Sequence, residues 1–242
     1  MKEERFFYDP RMNGELPQEE AHHAVKVLRL AVGDEMWLMD GCGTYYRTII
    51  TAATGHRCLY RIEETLPQSP AWEGHIHLAM APTKLNDRVE WFAEKATEIG
   101  FDELTFLDCQ FSERRVIKEE RIDKILVSAM KQSHKAWKPV LDGMTSFERF
   151  VQQERKGDKF ICHCYPKEDI GEGGDKPFLM DVLQRGVEST VMIGPEGDFS
   201  VDEVKFAIQH GYHSVSLGTS RLRTETAALV AVHTMQLINQ IQ

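Results

Sequence analysis

The spacing of hydrophobic and polar positions divides the chain into two parts with different patterns. Up to residue 66, short runs rich in aromatic and branched side chains predict β-strands at 5–8, 35–40, 44–54 and 57–66. One helix is predicted between the first two strands, at 18–30, because Ala21, Ala24 and Leu28 recur at helical spacing. This pattern is that of a small β-barrel.

The prolines at 67–70 predict a linker, after which strands alternate with helices. Strands are predicted at 76–81, 104–107, 159–164, 190–193 and 214–217, helices at 86–99, 119–135, after Ser146, from Ser200 and at 226–241, and a Gly-rich loop at 172–177. The helix from Ser200 has Glu203 three residues on, which predicts a capping box. Such alternation predicts a mainly parallel sheet with helices on both faces. We therefore expect two domains, a barrel at 1–69 and an α/β domain at 70–242.

Composition narrows the class of protein. No apolar run is long enough to cross a membrane, and the charged first residues carry no signal-peptide core, so we expect a cytoplasmic protein. The five cysteines are odd in number and lack a CxxC pair, which does not favour a disulfide framework. Cys162-His163-Cys164 could suggest a metal, but this spacing places two thiols on one face of a strand, and a closed zinc site needs about four ligands. We expect no metal.

Charge is distributed unevenly along the chain. The formal net charge of -9 taken alone argues against a nucleic-acid partner. Between residues 113 and 140, however, eight Lys or Arg residues face only four acidic ones. A local basic patch can bind phosphate on an acidic protein, whereas the alternative interpretation is a solvated helix face.

Two loops carry the candidate chemistry, because ligands of parallel α/β sheets gather outside the carboxyl ends of the strands. The first runs from Ile193 to Ser200; its glycines allow a backbone to approach a ligand, and it leads into a helix whose first amides are free. The second runs from Leu217 to Ala227 into the last helix. Neither matches a nucleotide-phosphate fingerprint. The residues alone therefore indicate a ligand-binding α/β domain, or two tight turns.

Taken together, these loops match a known family. Gly194-Pro195-Glu196-Gly197, Leu217-Gly218 and Leu222-Arg223-Thr224-Glu225-Thr226-Ala227 resemble the RsmE family of the SPOUT superfamily. Further blocks follow the order of that family: Arg5-Phe6-Phe7, His22-His23 with Val27-Leu28-Arg29, Lys84 with 94–100, Ser112-Glu113-Arg114-Arg115 and Gln132-Ser133. The chain departs from the family pattern at Asp198, where a third glycine is usual, at Ser220-Arg221, and at Lys135, where arginine is commoner.

The resemblance implies a fold, a reaction and partners. The fold is a SPOUT (α/β knot) methyltransferase domain with a deep trefoil knot, preceded by a PUA-like β-barrel that helps to hold RNA. The reaction is methylation of N3 of a uridine in 16S ribosomal RNA of the small ribosomal subunit, with S-adenosylmethionine as the methyl donor. Such enzymes are homodimers with sites near the interface.

The resemblance also implies site residues. The cofactor is expected at Cys164, Ile193, Gly194, Pro195, Glu196, Gly197, Leu217, Gly218, Leu222, Arg223 and Thr224. RNA contacts are expected at Arg5, Arg11, His23, Arg29, Lys84, Arg114 and Lys135. Arg223, or an arginine of the N-terminal domain of the partner subunit, is the candidate cation for the developing uridine anion, and Glu196 or Glu225 is the candidate base. The alternatives are that Glu196 pins its loop and that Glu225 caps a helix.

Three other functions stay open from the sequence. The first is another SPOUT reaction, such as ribose 2′-O-methylation. The second is a non-catalytic RNA-binding or ribosome-assembly factor that has kept the fold, although such a protein has no need of cofactor loops. The third is an oxidoreductase, for which the dinucleotide fingerprint is missing.

Overall fold

A computed structural model describes residues 5–171 and 175–241. The chain divides into two compact units, one made of the chain up to Ala71 with Val127–Lys138, the other of Trp72–Leu126 with the chain from Pro139 onward. The sequence pattern had placed 127–138 in the second domain. That segment joins the first unit because Tyr45 donates its hydroxyl to the carbonyl of His134 at 2.6 Å and the Gly43 amide donates to Ala136. No helix among the described residues is long and apolar enough to span a membrane.

The first unit contains a four-stranded sheet, ordered β1-β2-β3-β4. Its strands are β1 (Phe6–Tyr8), β2 (Glu35–Met39), β3 (Thr44–Ala53) and β4 (Cys58–Pro67), and all neighbours are antiparallel except β1 and β2. Pro67 ends β4 rather than beginning the linker, which an edge strand tolerates. The predicted helix is present as α1 (Gln18–His22), but it continues as a π-helical segment (His23–Val27). Phe7, Leu16, Ala21, Ala24, Leu38 and Ile50 belong to the core.

The second unit contains a six-stranded sheet in which every neighbouring pair is parallel, as the alternating pattern predicted. The order is β10-β8-β9-β5-β6-β7. The strands are β5 (Ile76–Met80), β6 (Glu103–Asp108), β7 (Val140–Ser146), β8 (Asp158–Cys162), β9 (Ser189–Ile193) and β10 (His213–Val215). Strand β7 was not predicted, because Asp142 and Gly143 interrupt its short apolar run. It lies at an edge of the sheet, where such residues are tolerated.

Helices cover both faces of this sheet. They are α2 (Asn86–Ile99), α3 (Glu119–Gln132), α4 (Phe147–Gln152), α5 (Lys167–Ile170), α6 (Leu179–Val182), α7 (Val201–Gln209) and α8 (Thr224–Gln240). One core packs around Leu78, Phe92 and Val232, the other around Met192, Phe199 and Val204. The central strands β5 and β9 are therefore buried throughout.

The bounds of three helices can be compared with the starts and ends predicted from the sequence. α2 has the predicted bounds, and Gly100 ends it at a φ of 115° that other residues rarely adopt. The predicted capping box of α7 is confirmed, because Ser200 and Glu203 exchange side-chain and backbone hydrogen bonds. α8 begins at Thr224, two residues before the predicted start. Residues 172–174 of the predicted Gly-rich loop lie outside the described residues, and the knot stays a prediction.

A buried polar network occupies the amino ends of the strands. Arg155 can only donate, so His77 Nδ1 accepts from it at 2.9 Å, which leaves the proton on His77 Nε2. That proton is donated to Thr105 at 2.8 Å, and the Thr105 hydroxyl donates to Asp142 at 3.0 Å. Burial, with a contribution from the Arg155 charge, lowers the pKa of His77 to about 3. The histidine is therefore neutral in the folded chain.

Acid should destabilise the fold through this network. The unfolded histidine takes up a proton near its ordinary pKa of 6.5 and the folded one only near about 3, so the contribution of His77 is complete above pH 6.5 and is lost as the pH falls between these values. A hydrogen bond with His75 lowers the pKa of Glu103 to about 2, which adds a loss below pH 4.5. We expect urea unfolding to show a slope of up to about 1.4 kcal/mol per pH unit from His77.

His77→Asn tests this assignment. The variant should lose the slope between pH 6 and 4, while the matched variant His56→Asn, at an exposed histidine, should keep it. The same pH dependence in wild type and His77→Asn would contradict the assignment.

His75, whose pKa is raised by its bond to Glu103, acts in the opposite sense. Its contribution to the free energy of unfolding is lost as the pH rises above 6.5.

Candidate functional site

A cavity of about 850 Å³ lies at the carboxyl ends of β8, β9 and β10. Three loops form most of its wall, at 162–166, 193–198 and 215–223, and Arg88 of α2, Lys176, and Thr224 and Ala227 of α8 complete it. The volume is in the range of sites for small molecules and cofactors. All eleven residues predicted to hold the cofactor line this cavity. The structure therefore brings together loops that the sequence suggested only one at a time.

The two glycines of the loop after β9 serve its packing. A Cβ at Gly194 would lie 2.9 Å from the backbone nitrogen of Phe199, and one at Gly197 would lie 3.2 Å from Cβ of Phe111. The first distance is shorter than real Cβ contacts allow, so Gly194 cannot take a side chain unless the loop shifts. Close packing within the protein is therefore a second reason for glycine at these two positions, beside the expected approach of a ligand.

Asp198, which departs from the family pattern, ties two of the loops together. Its φ of 67° is the conformation that a glycine favours. One carboxylate oxygen accepts from the backbone N–H of Cys164 at 2.7 Å, and the other accepts from Phe199 at 2.8 Å. The two bonds offset the cost of the left-handed backbone. Asp198 therefore links the loop after β8 to the loop after β9.

Glu196 fastens the same loop to the start of α2. Its Oε1 accepts from the backbone N–H of Lys84 at 2.8 Å. Arg114 donates to the Lys84 carbonyl at 2.6 Å and to the Thr83 carbonyl at 3.1 Å, which holds that segment from the other side. This contact is the loop-pinning role considered for Glu196. The side chain is exposed and also lines the cavity.

Glu225 is buried and does not line the cavity. The N-cap residue of α8 is Arg223, and it makes no side-chain cap hydrogen bond; Glu225 lies in the first turn of α8, where an acidic side chain complements the helix dipole. Glu225 Oε1 lies 3.6 Å from Nε of Arg88. Arg88 was not among the predicted site residues. It lies in the first turn of α2 and lines the cavity.

The cavity wall is mainly cationic and its sulfur groups are protonated. Arg88, Lys176, Arg221 and Arg223 contribute positive charge, against Glu196 and Asp198. Burial, with the nearby Lys176 ammonium, lowers the pKa of His163 to about 4, and burial raises that of Cys162 to about 12.

Away from this cavity, His77, Glu103 and Asp142 have the spacing of three metal ligands. Arg155 donates a hydrogen bond to His77 there.

The seven predicted RNA contacts fall into two groups. Arg5, Arg11, His23, Arg29 and Lys135 lie in the first unit, and Lys84 and Arg114 lie beside Glu196 in the second. Several cations of the basic segment at 113–140 are paired with acids: Arg115 with Asp108, Arg121 with Glu90 and Lys131 with Glu20. The segment is therefore less positive than its sequence suggests. Lys135 is partly buried, which lowers its pKa.

Substitutions of Asp198 should separate the backbone cost from the side-chain bonds. Asp198→Ala loses both hydrogen bonds and keeps a side chain at positive φ, so we expect a loss of about 1–3 kcal/mol in the free energy of unfolding. Asp198→Gly loses the same bonds but relieves the backbone, so its loss should be smaller. Urea denaturation of the three proteins measures this order. An alanine variant as stable as wild type would contradict the linking role.

Comparisons with known proteins agree with this geometry. A model of the RNA methyltransferase domain matches residues 70–236, and a model of the RNA methyltransferase PUA domain matches residues 16–63. The chain is 26% identical to the ribosomal RNA small subunit methyltransferase E of Rickettsia conorii, over 98% of this chain and 97% of that protein.

Two solved structures are similar over nearly the whole chain. A probable rRNA-methyltransferase from Porphyromonas gingivalis is 36% identical, with a TM-score of 0.89, over 97% of this chain and 98% of that one. A putative methyltransferase from Legionella pneumophila, solved with the bound cofactor S-adenosylmethionine, is 26% identical, with a TM-score of 0.84 and the same coverage. The chain therefore belongs to the RNA methyltransferase family, with the PUA domain of that family preceding the methyltransferase domain.

Proposed function

We propose that this protein transfers a methyl group from S-adenosylmethionine to N3 of a uridine in 16S ribosomal RNA of the small ribosomal subunit, and that it does so in the cytoplasm. The observation that carries the proposal is the three-loop cavity of about 850 Å³, lined by all eleven predicted cofactor residues. The similarity to the Legionella protein with bound S-adenosylmethionine supports the choice of cofactor. The similarity to the Rickettsia enzyme supports the choice of RNA.

The residues of the wall suit such a cofactor. Backbone groups around Gly194, Leu217 and Gly218 would hold the adenosine, since peptide N–H and C=O groups are donors and acceptors that need no side chain. When bound, S-adenosylmethionine supplies an electrophilic methyl group on a positively charged sulfur. The chain's own task is to place the reacting base against that group and to exclude water.

Loss of the N3 proton leaves a negative charge on the uracil ring, and a nearby cation stabilises it. Arg223 is exposed at the N-terminus of α8 and lines the cavity, which supports its assignment as such a cation.

Of the two candidate bases, Glu196 lines the cavity and Glu225 does not. Glu196 Oε1 is engaged by Lys84, and no described residue donates a hydrogen bond to its second oxygen. We assign the base to Glu196.

A homodimer is part of the proposal. Trp91 of α2 is 43% exposed and Leu237 of α8 is 39% exposed, and Leu85 and Ile241 beside these helices are exposed too. A second copy related by two-fold symmetry would cover these apolar side chains. Light scattering should give twice the mass of one chain, and Trp91→Glu should shift the protein toward single chains. A wild-type mass of one chain would contradict the dimer.

Methylation of purified small subunits tests the reaction. With labelled S-adenosylmethionine, we expect one methyl group per subunit, and nucleoside mass spectrometry should identify it as 3-methyluridine. Arg223→Ala should lower kcat by about 10²-fold or more, and Lys135→Ala should mainly raise KM for RNA.

The two RNA-related rival functions each have their own result in that experiment. A 2′-O-methylated nucleoside would identify a different SPOUT reaction. If the protein binds free RNA and assembled subunits but transfers no methyl group to either, it is a non-catalytic RNA-binding factor. Wild-type turnover by Arg223→Ala would remove Arg223 from the mechanism.

A further inference from the structure

An ion pair at the edge of the cavity has no role in the function proposed so far. Arg88 lies in the first turn of α2 and Glu225 in the first turn of α8. Arg88 Nε and Glu225 Oε1 are 3.6 Å apart. The Glu225 side chain is 8% exposed and that of Arg88 is 32% exposed. The carboxylate is therefore buried, and Arg88, which is more exposed, lines the cavity.

Both members of the pair have unused hydrogen-bonding capacity. Glu225 Oε2 is buried, and within the described part of the chain it has no hydrogen-bond partner. A guanidinium has five N–H donors, and among residues 5–171 and 175–241 the contact with Glu225 is the one ion pair found for Arg88. A charged pair of this kind adds little to stability, because the cost of desolvation is as large as the attraction. Its position beside the cavity gives it another use.

The arrangement fixes a positive charge at the cavity wall. Glu225 does not line the cavity, so the negative member of the pair is withdrawn while the positive member stays accessible. Arg223, by contrast, is exposed, and within the described residues no ion pair or hydrogen bond holds its side chain. A cation that is held in place before the reaction stabilises a developing charge better than one that must first be ordered.

We propose that Arg88 is a second cation, beside Arg223, that stabilises the uracil anion during methyl transfer, and that Glu225 is a positioning residue that holds Arg88. This inference rests on the proposed function. The N3 proton leaves to the base, the N3 electron pair forms the bond to the methyl carbon, and the carbon–sulfur bond breaks with its electrons going to sulfur. The sulfonium becomes a neutral thioether and the anion a neutral methylated base. Arg88 stays protonated throughout.

The test measures kcat on small subunits as a function of pH, together with the Kd for S-adenosylmethionine by calorimetry. Arg88→Gln should lower kcat by about 10²-fold at neutral pH, with a smaller loss at high pH, where solvent hydroxide already ionises the uracil. The Kd for the cofactor should stay within about twofold. Arg88→Lys keeps the charge without the planar fork, so it should recover part of kcat.

Glu225→Gln examines the positioning role. We expect kcat to fall about tenfold, and the double variant Arg88→Gln/Glu225→Gln to be no slower than Arg88→Gln alone, because the two residues act as one unit. A merely structural role of Glu225 would give additive losses. The matched control is Lys95→Gln, which removes a cation of α2 that is paired with Glu94 and Glu98, and it should leave kcat unchanged.

Three results would overturn the proposal. Weaker cofactor binding with kcat preserved would mean that Arg88 binds the carboxylate of S-adenosylmethionine. A higher KM for RNA with kcat preserved would mean a phosphate contact. Wild-type kcat in Arg88→Gln would leave Arg88 without a role; if that variant does not fold, wild-type kcat in Glu225→Gln would overturn the proposed action of the pair. Failure of the proposed function looks different, because the wild-type protein itself would then transfer no methyl group.

Discussion

Parallel pairing of β8 with both β9 and β10 is the constraint on which the cavity depends. Because the three strands run in the same direction, their carboxyl ends meet at one edge of the sheet, and the three following loops must lie side by side. Buried central strands keep that edge rigid. Carboxylates then fasten the loops: Asp198 joins the first to the second, and Glu196 joins the second to the start of α2. Contacts within the chain thus hold the three loops in place around the cavity.

Polar groups lie at both ends of this sheet. At the amino ends, Arg155, His77, Thr105 and Asp142 form a chain of hydrogen bonds, although Arg155 Nε has no partner among the described residues. At the carboxyl ends, Glu225 Oε2 lacks a partner, and Arg88, with which Glu225 forms an ion pair, lines the cavity. Of the six buried side-chain atoms without a hydrogen-bond partner in the described part of the chain, Glu225 Oε2 is the one whose residue forms an ion pair with a residue of the cavity wall. Such a group beside a cavity is typical of functional sites.

Local patterns predicted most of the elements, since they depend on neighbours in sequence. α2 has the predicted bounds because its buried positions Val89, Phe92 and Ala96 keep helical spacing and Gly100 ends it. β7 was missed because Asp142, which completes the buried network, breaks the apolar run. The π-helical segment after His22 was missed because the apolar spacing there does not differ visibly from that of an α-helix.

The site was predictable as a set of loops and not as a set of contacts. The resemblance to a family selected the eleven lining residues. Contacts between distant parts of the chain carry no sequence signal: Glu196 and Lys84 are 112 residues apart, and the pair of Arg88 and Glu225 joins two helices from different ends of the domain. For the same reason, the partners of Glu196 and Glu225, Lys84 and Arg88, could not be predicted from the sequence.

We infer that the three loops bind S-adenosylmethionine, and a crystal structure of the protein soaked with that cofactor would show this binding. We expect electron density for one cofactor molecule per chain between the loops at 162–166, 193–198 and 215–223, with the backbone of Gly194 and Leu217 in contact with it. Density at another place on the chain, or an empty three-loop cavity at saturating cofactor, would show that these loops are not the cofactor site.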